Sequence, residues 1–201
     1  ATVPLVIAGT ILSTLHQSGL GALFLLAPTK IHPLWYSGNI PVMFFVSSVF
    51  AGLSMVMIES FFTQKAFKDR IGHELHAAHD SILLGLGKGA VGALFAYIFL
   101  KLIDFVHYKQ WVHLDTPMGY WYLFEIVGFV LLPTALFLQA IRKRSAKLVQ
   151  FTAFLTAAGV ILNRLNVSVI GFKWYETVRY YPSWMEIWIT LAIISMELWV
   201  F

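Results

Sequence analysis

The sequence predicts an all-α fold, a polytopic transmembrane helical bundle of about six helices. Of its 201 residues, 59% are hydrophobic and only 12% are charged, and the mean hydropathy is +0.76, whereas soluble domains are about half apolar and about a quarter charged. The apolar residues form long continuous runs instead of the short alternating runs of a membrane β-barrel. Helices are therefore expected, because lipid leaves backbone groups no partners outside their own segment.

Six segments reach the roughly 20 apolar residues that cross a hydrocarbon core of about 30 Å. In chain order they are 4–27, 38–60, 80–103, 119–141, 147–170 and 183–201. Pro133 lies within the fourth segment and is expected to kink it unless neighbours compensate. The chain shows no signal peptide, and residues 1–201 are expected to form a single transmembrane domain, the later part of a longer polypeptide.

The loops divide between two faces of the membrane. Side A carries loops 28–37, 104–118 and 171–182, and side B carries loops 61–79 and 142–146. Counted to the helix ends, side B has seven basic residues and side A has five, so side B is expected to be cytoplasmic and side A to lie on the opposite face of the membrane. Because the basic residues lie in such loops, the net charge of +4 does not indicate nucleic-acid binding.

Ionisable and amide side chains within the predicted spans are costly in lipid, so each needs a partner or a function. Estimated from the helical rise of 1.5 Å per residue, their depths form a column across the bilayer, as a proton path requires. The side-B group is Glu59, His79, Asp80 and Lys88, the central group is His16 and Gln17, and the side-A group is Glu125, Asn163, Arg164 and Asn166.

The side-A end of this column suits a quinone head group, which needs a hydrogen-bond partner for each carbonyl oxygen and a proton exchanger. A structural interpretation also remains open for each group. Arg164 could pair with Glu125 or Glu186, Lys88 could pair with Glu59 or Asp80, and His16 could be a packing residue. The side-A aromatic residues are typical of a membrane-interface belt.

A haem or metal site is not expected on this chain. A b-type haem in a helical bundle commonly has two facing histidine ligands, and His16 is the one histidine deep in a predicted span. The motif "HELHAAH" groups His73, His76 and His79, but it lacks the HExxH order of a zinc site.

Six motifs in order, spread over almost the whole chain, resemble the NrfD family of integral membrane subunits, in particular its HybB-like branch. They are "LHQSGLGALFLL", "HPLWYS", "MVMIES", "WYLFEIVGFVLLP", "GVILNRLNVSVIGF" and "YYPSWMEI". The resemblance implies a subunit that binds menaquinone or ubiquinone and has no redox cofactor of its own. It also implies a bacterial inner membrane with side A periplasmic, and periplasmic partners: an iron–sulfur ferredoxin-like subunit, a multihaem cytochrome c or hydrogenase subunits.

The resemblance also assigns roles to residues of this sequence. His16 and Gln17 of "HQS", Glu125 of "WYLFE", and Arg164 and Asn166 of "NRLNVS" become pocket residues. Glu59 of "MIES" becomes a residue of the proton path. Trp121, Asn163 and Tyr36 complete the candidate pocket.

The sequence therefore predicts the quinone-binding membrane subunit of a respiratory redox complex, with a proton path across the membrane. Two other functions stay open. A passive anchor would leave quinone binding to a partner subunit, and a proton-coupled transporter would use the same column, although no inverted repeat is evident in the chain.

Overall fold

The computed structural model describes residues 2–66, 73–175 and 182–200, and it confirms the all-α prediction. Within these residues, four helices are long and apolar enough to cross a membrane. They correspond to the second to fifth predicted segments, so the chain is a multi-pass membrane protein. These spans are Ile40–Ala66, His79–His107, Pro117–Arg142 and Ala146–Ile170.

The described α-helices are numbered in chain order: α1 Thr2–Phe24, α2 Ile40–Ala66, α3 His73–His107, α4 Pro117–Ile126, α5 Leu132–Arg142, α6 Ala146–Leu165 and α7 Trp184–Val200. Helices α1 and α7 coincide with the first and last predicted segments. The described side chains of α7 between Trp184 and Met196 are all exposed. The crossing of the membrane by α1 and α7 stays a prediction.

Four of the helices enclose the main core. Helix α2 packs against α3 and α6, α5 packs against α3 and α6, and α1 lies against α2. The core between them is apolar, and Met57, Leu94 and Phe137 are completely buried in it. A second, smaller cluster lies toward side A and contains Leu34 and Trp35, which are buried residues of the loop between α1 and α2.

A π-helical turn, Val127–Leu131, joins α4 to α5 as one continuous span. Pro133 lies just after this turn, and in a regular helix its ring would meet the carbonyl of Phe129 while its nitrogen could donate no hydrogen bond. The wider π-helical turn accommodates the proline within the span. Such turns are frequent at functional sites, and this one begins two residues after Glu125.

Helix α6 approaches this turn very closely. A Cβ atom on Gly159 would lie only 2.8 Å from the Cβ of Phe129, so the missing side chain allows the close contact. Helix α6 also ends in a π-helical turn, Asn166–Ile170. The close approach brings Asn163 and Asn166 against α4 at the level of Glu125.

Two side-A loops are tied together by backbone contacts. Ile31 and Phe172 form an isolated antiparallel bridge, and the His32 N–H donates to the Gly171 carbonyl at 2.8 Å. The Lys173 N–H donates to the Lys30 carbonyl at 2.6 Å. These contacts hold the "HPLWY" loop over the side-A end of the bundle.

Candidate functional site

The Glu125 carboxylate is the centre of a buried polar cluster. Its residue is only 1% exposed, and three side-chain N–H groups donate to it. Trp35 Nε1 donates to Oε2 at 2.7 Å, Asn166 Nδ2 donates to Oε2 at 2.5 Å, and Asn163 Nδ2 donates to Oε1 at 2.5 Å. Hydrogen bonds to an ionised acceptor are stronger than neutral ones, so these donors offset part of the cost of burying the carboxylate.

Arg164 is joined to this cluster through an amide. Its Nη1 donates to Asn163 Oδ1 at 3.1 Å, and its Nη2 donates to Ser47 Oγ at 2.6 Å and to the Phe44 carbonyl at 3.4 Å. The guanidinium carbon lies 3.5 Å from the centre of the Phe44 ring, a cation–π geometry. Asn163 therefore links the carboxylate to the guanidinium, and the described residues show no direct Glu125–Arg164 ion pair.

Helix geometry explains why Asn163, Arg164 and Asn166, at the end of α6 and in the turn that follows, point in different directions. Successive residues turn by about 100°, so Asn163 and Asn166 share a face while Arg164 projects around the helix toward α2. Trp121 Nε1 donates to Asn166 Oδ1 at 2.9 Å, which orients that amide. The structure thus brings together five predicted pocket residues: Trp121, Glu125, Asn163, Arg164 and Asn166.

The outer side of Arg164 faces a cleft of about 440 Å³ between α1, α2 and α6. Exposed Met55 and Ile161 line it, so the cleft opens at the surface of the bundle. The side chain of Gln17 lines it too, and within the described chain no protein group hydrogen-bonds that amide. The full lining is Ser13, Gln17, Ser48, Ala51, Gly52, Met55, Val160, Ile161, Arg164, Leu165 and Ser168.

The remaining predicted residues lie apart from this cluster. His16 is exposed on α1 and is not among the residues that line the cleft, and Tyr36 is half-buried in the side-A cluster. Glu59, Asp80 and Lys88 are exposed on the described helices. Their roles stay predictions.

His79 lies against two polar side chains of α2. Its Nε2 contacts Ser60 Oγ, and Gln64 Nε2 lies 2.7 Å from its Nδ1. The Asp80 carboxylate lies 3.8 Å from the same nitrogen. The side chains of His73 and His76, the other histidines of "HELHAAH", lie outside the described residues.

Sequence reasoning missed three residues of the cluster: Trp35, Ser47 and Phe44. The sequence places Trp35 among the side-A aromatic residues of the interface belt. Its position beside the predicted pocket residue Tyr36 in "HPLWYS" could have indicated a pocket residue. Nothing in the sequence distinguishes Ser47 and Phe44 as site residues, because serine and phenylalanine are common in apolar helices.

His32 makes the loop that carries Trp35 sensitive to acid. The residue is 4% exposed, and its Nδ1 accepts the Leu34 N–H at 3.2 Å. Burial and then the neighbouring His113 lower the pKa of His32 from 6.5 to about 4. The folded loop thus favours the neutral ring.

We therefore expect the full-length protein to lose stability as the pH falls from 6.5 toward 4, because the unfolded chain binds the proton more tightly in that window. The loss is at most about 3.4 kcal/mol, from 1.36 kcal/mol per pKa unit over the shift from 6.5 to about 4. Thermal unfolding in detergent across this range measures it. His32→Gln should flatten the dependence, while exposed His107→Gln should keep it, and an unchanged slope in His32→Gln would contradict the assignment.

Comparison with known proteins places these features in a family context. The sequence matches the profile of the family described as polysulphide reductase, NrfD, over residues 1–173. It is 41% identical over 202 residues to a protein of Nitratidesulfovibrio vulgaris (strain Hildenborough), in an alignment that covers 100% of this chain and 52% of that protein.

A second relative comes from Escherichia coli (strain K12) and is named probable Ni/Fe-hydrogenase 2 b-type cytochrome subunit. It is 24% identical over 192 residues, covering 94% of this chain and 48% of the relative. The chain thus spans about half the length of both curated relatives. No solved structure matches it.

Proposed function

Because the chain belongs to the NrfD family, we propose that it is the quinone-binding part of a membrane subunit in a bacterial respiratory redox complex. The observation that carries the proposal is the chain of contacts from buried Glu125 through Asn163 to Arg164, which ends at the wall of a surface cleft. A bound quinone supplies two-electron, two-proton chemistry. The protein supplies hydrogen-bond donors, a proton exchanger and an apolar site.

The cleft has the size and lining that a quinone requires. Ligand sites are usually about 300–1,000 Å³ and mostly apolar, with a few placed polar groups, and this cleft has a volume of about 440 Å³. Ala51, Met55 and Ile161 offer apolar surface to a ring and its isoprenoid tail. Arg164 and Gln17 offer N–H donors to the carbonyl oxygens.

Glu125 lies behind Arg164 and serves as the proton exchanger. Its three donors hold the carboxylate in one orientation, and Asn163 fixes the guanidinium relative to it. A guanidinium stays protonated, so it orients a carbonyl oxygen and stabilises developing negative charge. The proton itself must come from the carboxyl group or from water beside it.

The electrons pass between the quinone, menaquinone or ubiquinone, and a redox partner subunit. The Escherichia coli relative carries the name of a hydrogenase b-type cytochrome subunit, which favours a partner from a hydrogenase or related complex. We propose that an iron–sulfur or multihaem partner docks on side A, the face nearer Glu125, and that side A is periplasmic. A proton path toward side B, through Glu59, His79, Asp80 and Lys88, stays a separate prediction of the sequence, which proton exchange on side B during quinone turnover would support.

A steric substitution tests the cleft. Gly52 lines it, and a Cβ there meets nothing within 4 Å, so Gly52→Leu should fill the cleft without straining α2. We expect at least about a tenfold rise in the KM for a soluble quinone analogue, because losing about 1.4 kcal/mol of binding is tenfold.

Gly92→Leu is the matched control, since exposed Gly92 on α3 also has nothing within 4 Å of its Cβ position and lies outside the cleft. Both variants are measured in the full-length, assembled complex. Normal quinone kinetics in Gly52→Leu would overturn the site and favour a passive anchor whose partner binds the quinone.

A further inference from the structure

A second buried carboxylate, Asp104, lies near the side-A end of α3. Among the described residues, only Asp104 and Glu125 are buried carboxylates, each 1% exposed. Asp104 Oδ1 accepts a hydrogen bond from Asn39 Nδ2 at 2.7 Å, and Oδ2 has no hydrogen-bond partner in the described part of the chain. Such a group is costly to bury, and nothing in the quinone site explains it.

Lys101 connects the two carboxylates. It precedes Asp104 by one turn of α3, a spacing that places both side chains on the same face. Lys101 interacts electrostatically with Asp104 and with Glu125, and its Nζ lies 5.3 Å from the centre of the Tyr122 ring, one turn before Glu125 on α4. A cation thus lies close enough to both buried carboxylates to interact with each of them.

Two small cavities lie beside Glu125 and Lys101, one at each residue. Each has a volume of about 10 Å³, roughly what one water molecule needs. Both are lined by Tyr97 and Asn163. The first also contains Glu125 and Ser47 in its wall, and the second contains Lys101. Together they place polar side chains and water-sized spaces beside both Glu125 and Lys101.

The described core toward side B offers no comparable series. Its buried hydroxyls donate to carbonyls of their own helices, as Ser54 does to Phe50 and Thr134 does to Val130. Glu59 and Lys88 are exposed on the described helices. His79 is half-buried at the side-B end, but its neighbours there are Ser60, Gln64 and the exposed Asp80. Buried ionisable groups in the described bundle are therefore concentrated between Glu125 and side A.

We infer that the protons exchanged with the quinone travel between Glu125 and side A past the charged Lys101 side chain and through Asp104. Reduction of a quinone takes two electrons from the redox partner subunit and two protons, one for each carbonyl oxygen, and oxidation of the quinol returns both. Asp104 is three residues from the end of α3, and its own carbonyl accepts the Tyr108 N–H at 2.9 Å, so it lies in the last turn at the side-A end of the helix. This route rests on the proposed quinone site.

Substitution of Asp104 in the full-length, assembled complex tests the route. Asp104→Asn should lower quinone-linked turnover at least about tenfold, within the usual range for loss of a proton-transfer group, and Asp104→Glu should restore most of it. A membrane-permeant weak acid should partly rescue Asp104→Asn, which a purely structural defect would not allow. Asp115→Asn, an exposed aspartate in a side-A loop, should leave turnover unchanged.

Proteoliposomes with a pH-sensitive dye inside provide a second, independent measurement on the unmodified complex. Proton exchange coupled to quinone turnover should occur on side A, and exchange on side B would overturn the inference. So would normal turnover in Asp104→Asn or, if that variant does not assemble, in Lys101→Gln. Normal turnover in these variants with Gly52→Leu still impaired would reject the route alone, whereas normal kinetics in Gly52→Leu would reject the quinone site.

Discussion

Glu125→Gln is expected to lower quinone-linked turnover of the full-length complex by at least about a hundredfold, the lower range for removing a general acid or base. An amide neither takes up nor releases the proton. The substitution also turns an N–H group toward Trp35, Asn163 or Asn166, all of which donate to the carboxylate. An unmatched buried donor costs about 1–3 kcal/mol, so the unfolding temperature should fall too.

Two further variants separate these effects. Trp35→Phe removes one donor and keeps the carboxylate, so it should lower stability with a much smaller effect on turnover. Glu125→Asp keeps the ionisable group on a shorter side chain and should retain measurable turnover. Assembly is followed by co-purification of partner subunits, and unchanged turnover in assembled Glu125→Gln would contradict a role for Glu125 in proton exchange.

Arg164→Met is expected to raise the KM for quinone about ten- to a hundredfold. A hydrogen bond from a charged donor is worth about 1.5–3 kcal/mol, and every 1.4 kcal/mol is tenfold in affinity. Methionine keeps an unbranched side chain in the space beside Phe44 and removes the charge. It leaves Asn163 Oδ1 and Ser47 Oγ without their donor.

Arg164→Lys should give an intermediate KM, since an ammonium group keeps the charge but lacks the planar fork that reaches Asn163 and Ser47 together. Arg142→Met is the matched control, because Arg142 is exposed at the other end of the bundle, in the last turn of α5. Steady-state kinetics with a soluble quinone analogue separate KM from kcat. A lower kcat with an unchanged KM would contradict binding by Arg164.

Only some of the pocket residues were predictable from the sequence. The predictable ones stand out locally, as polar residues in apolar helices, whereas the others meet the site only through contacts between distant segments. Glu125, Asn163, Arg164 and Asn166 are polar residues in otherwise apolar helices, where burial is costly enough that each needs a function. Their grouping at one depth followed from helical rise alone. Trp35 and Ser47 are 90 and 117 residues from their partners Glu125 and Arg164, and no local pattern reports such distant contacts.

The two neighbouring polar residues of α1 show the same limit. The depth estimated from the helical rise predicts that His16 and Gln17 lie together near the middle of the first predicted segment. In the structure Gln17 lines the cleft, whereas His16 is exposed. One residue turns a helix by about 100°, and the apolar residues of α1 are not concentrated on one face, so its sequence does not indicate which face packs on α2.

The sequence by itself determined the membrane class, the segments that form helices and the family, because hydropathy and motif order can be read along the chain. Tertiary structure alone decided which of the polar residues meet. Rotation of each helix about its axis, the approach of α6 allowed by Gly159, and the loop that carries Trp35 arise from packing between distant segments. Asp104 illustrates this most clearly: in sequence it is a loop residue just beyond a predicted span, and only packing of α3 against the start of α2 buries it beside Asn39.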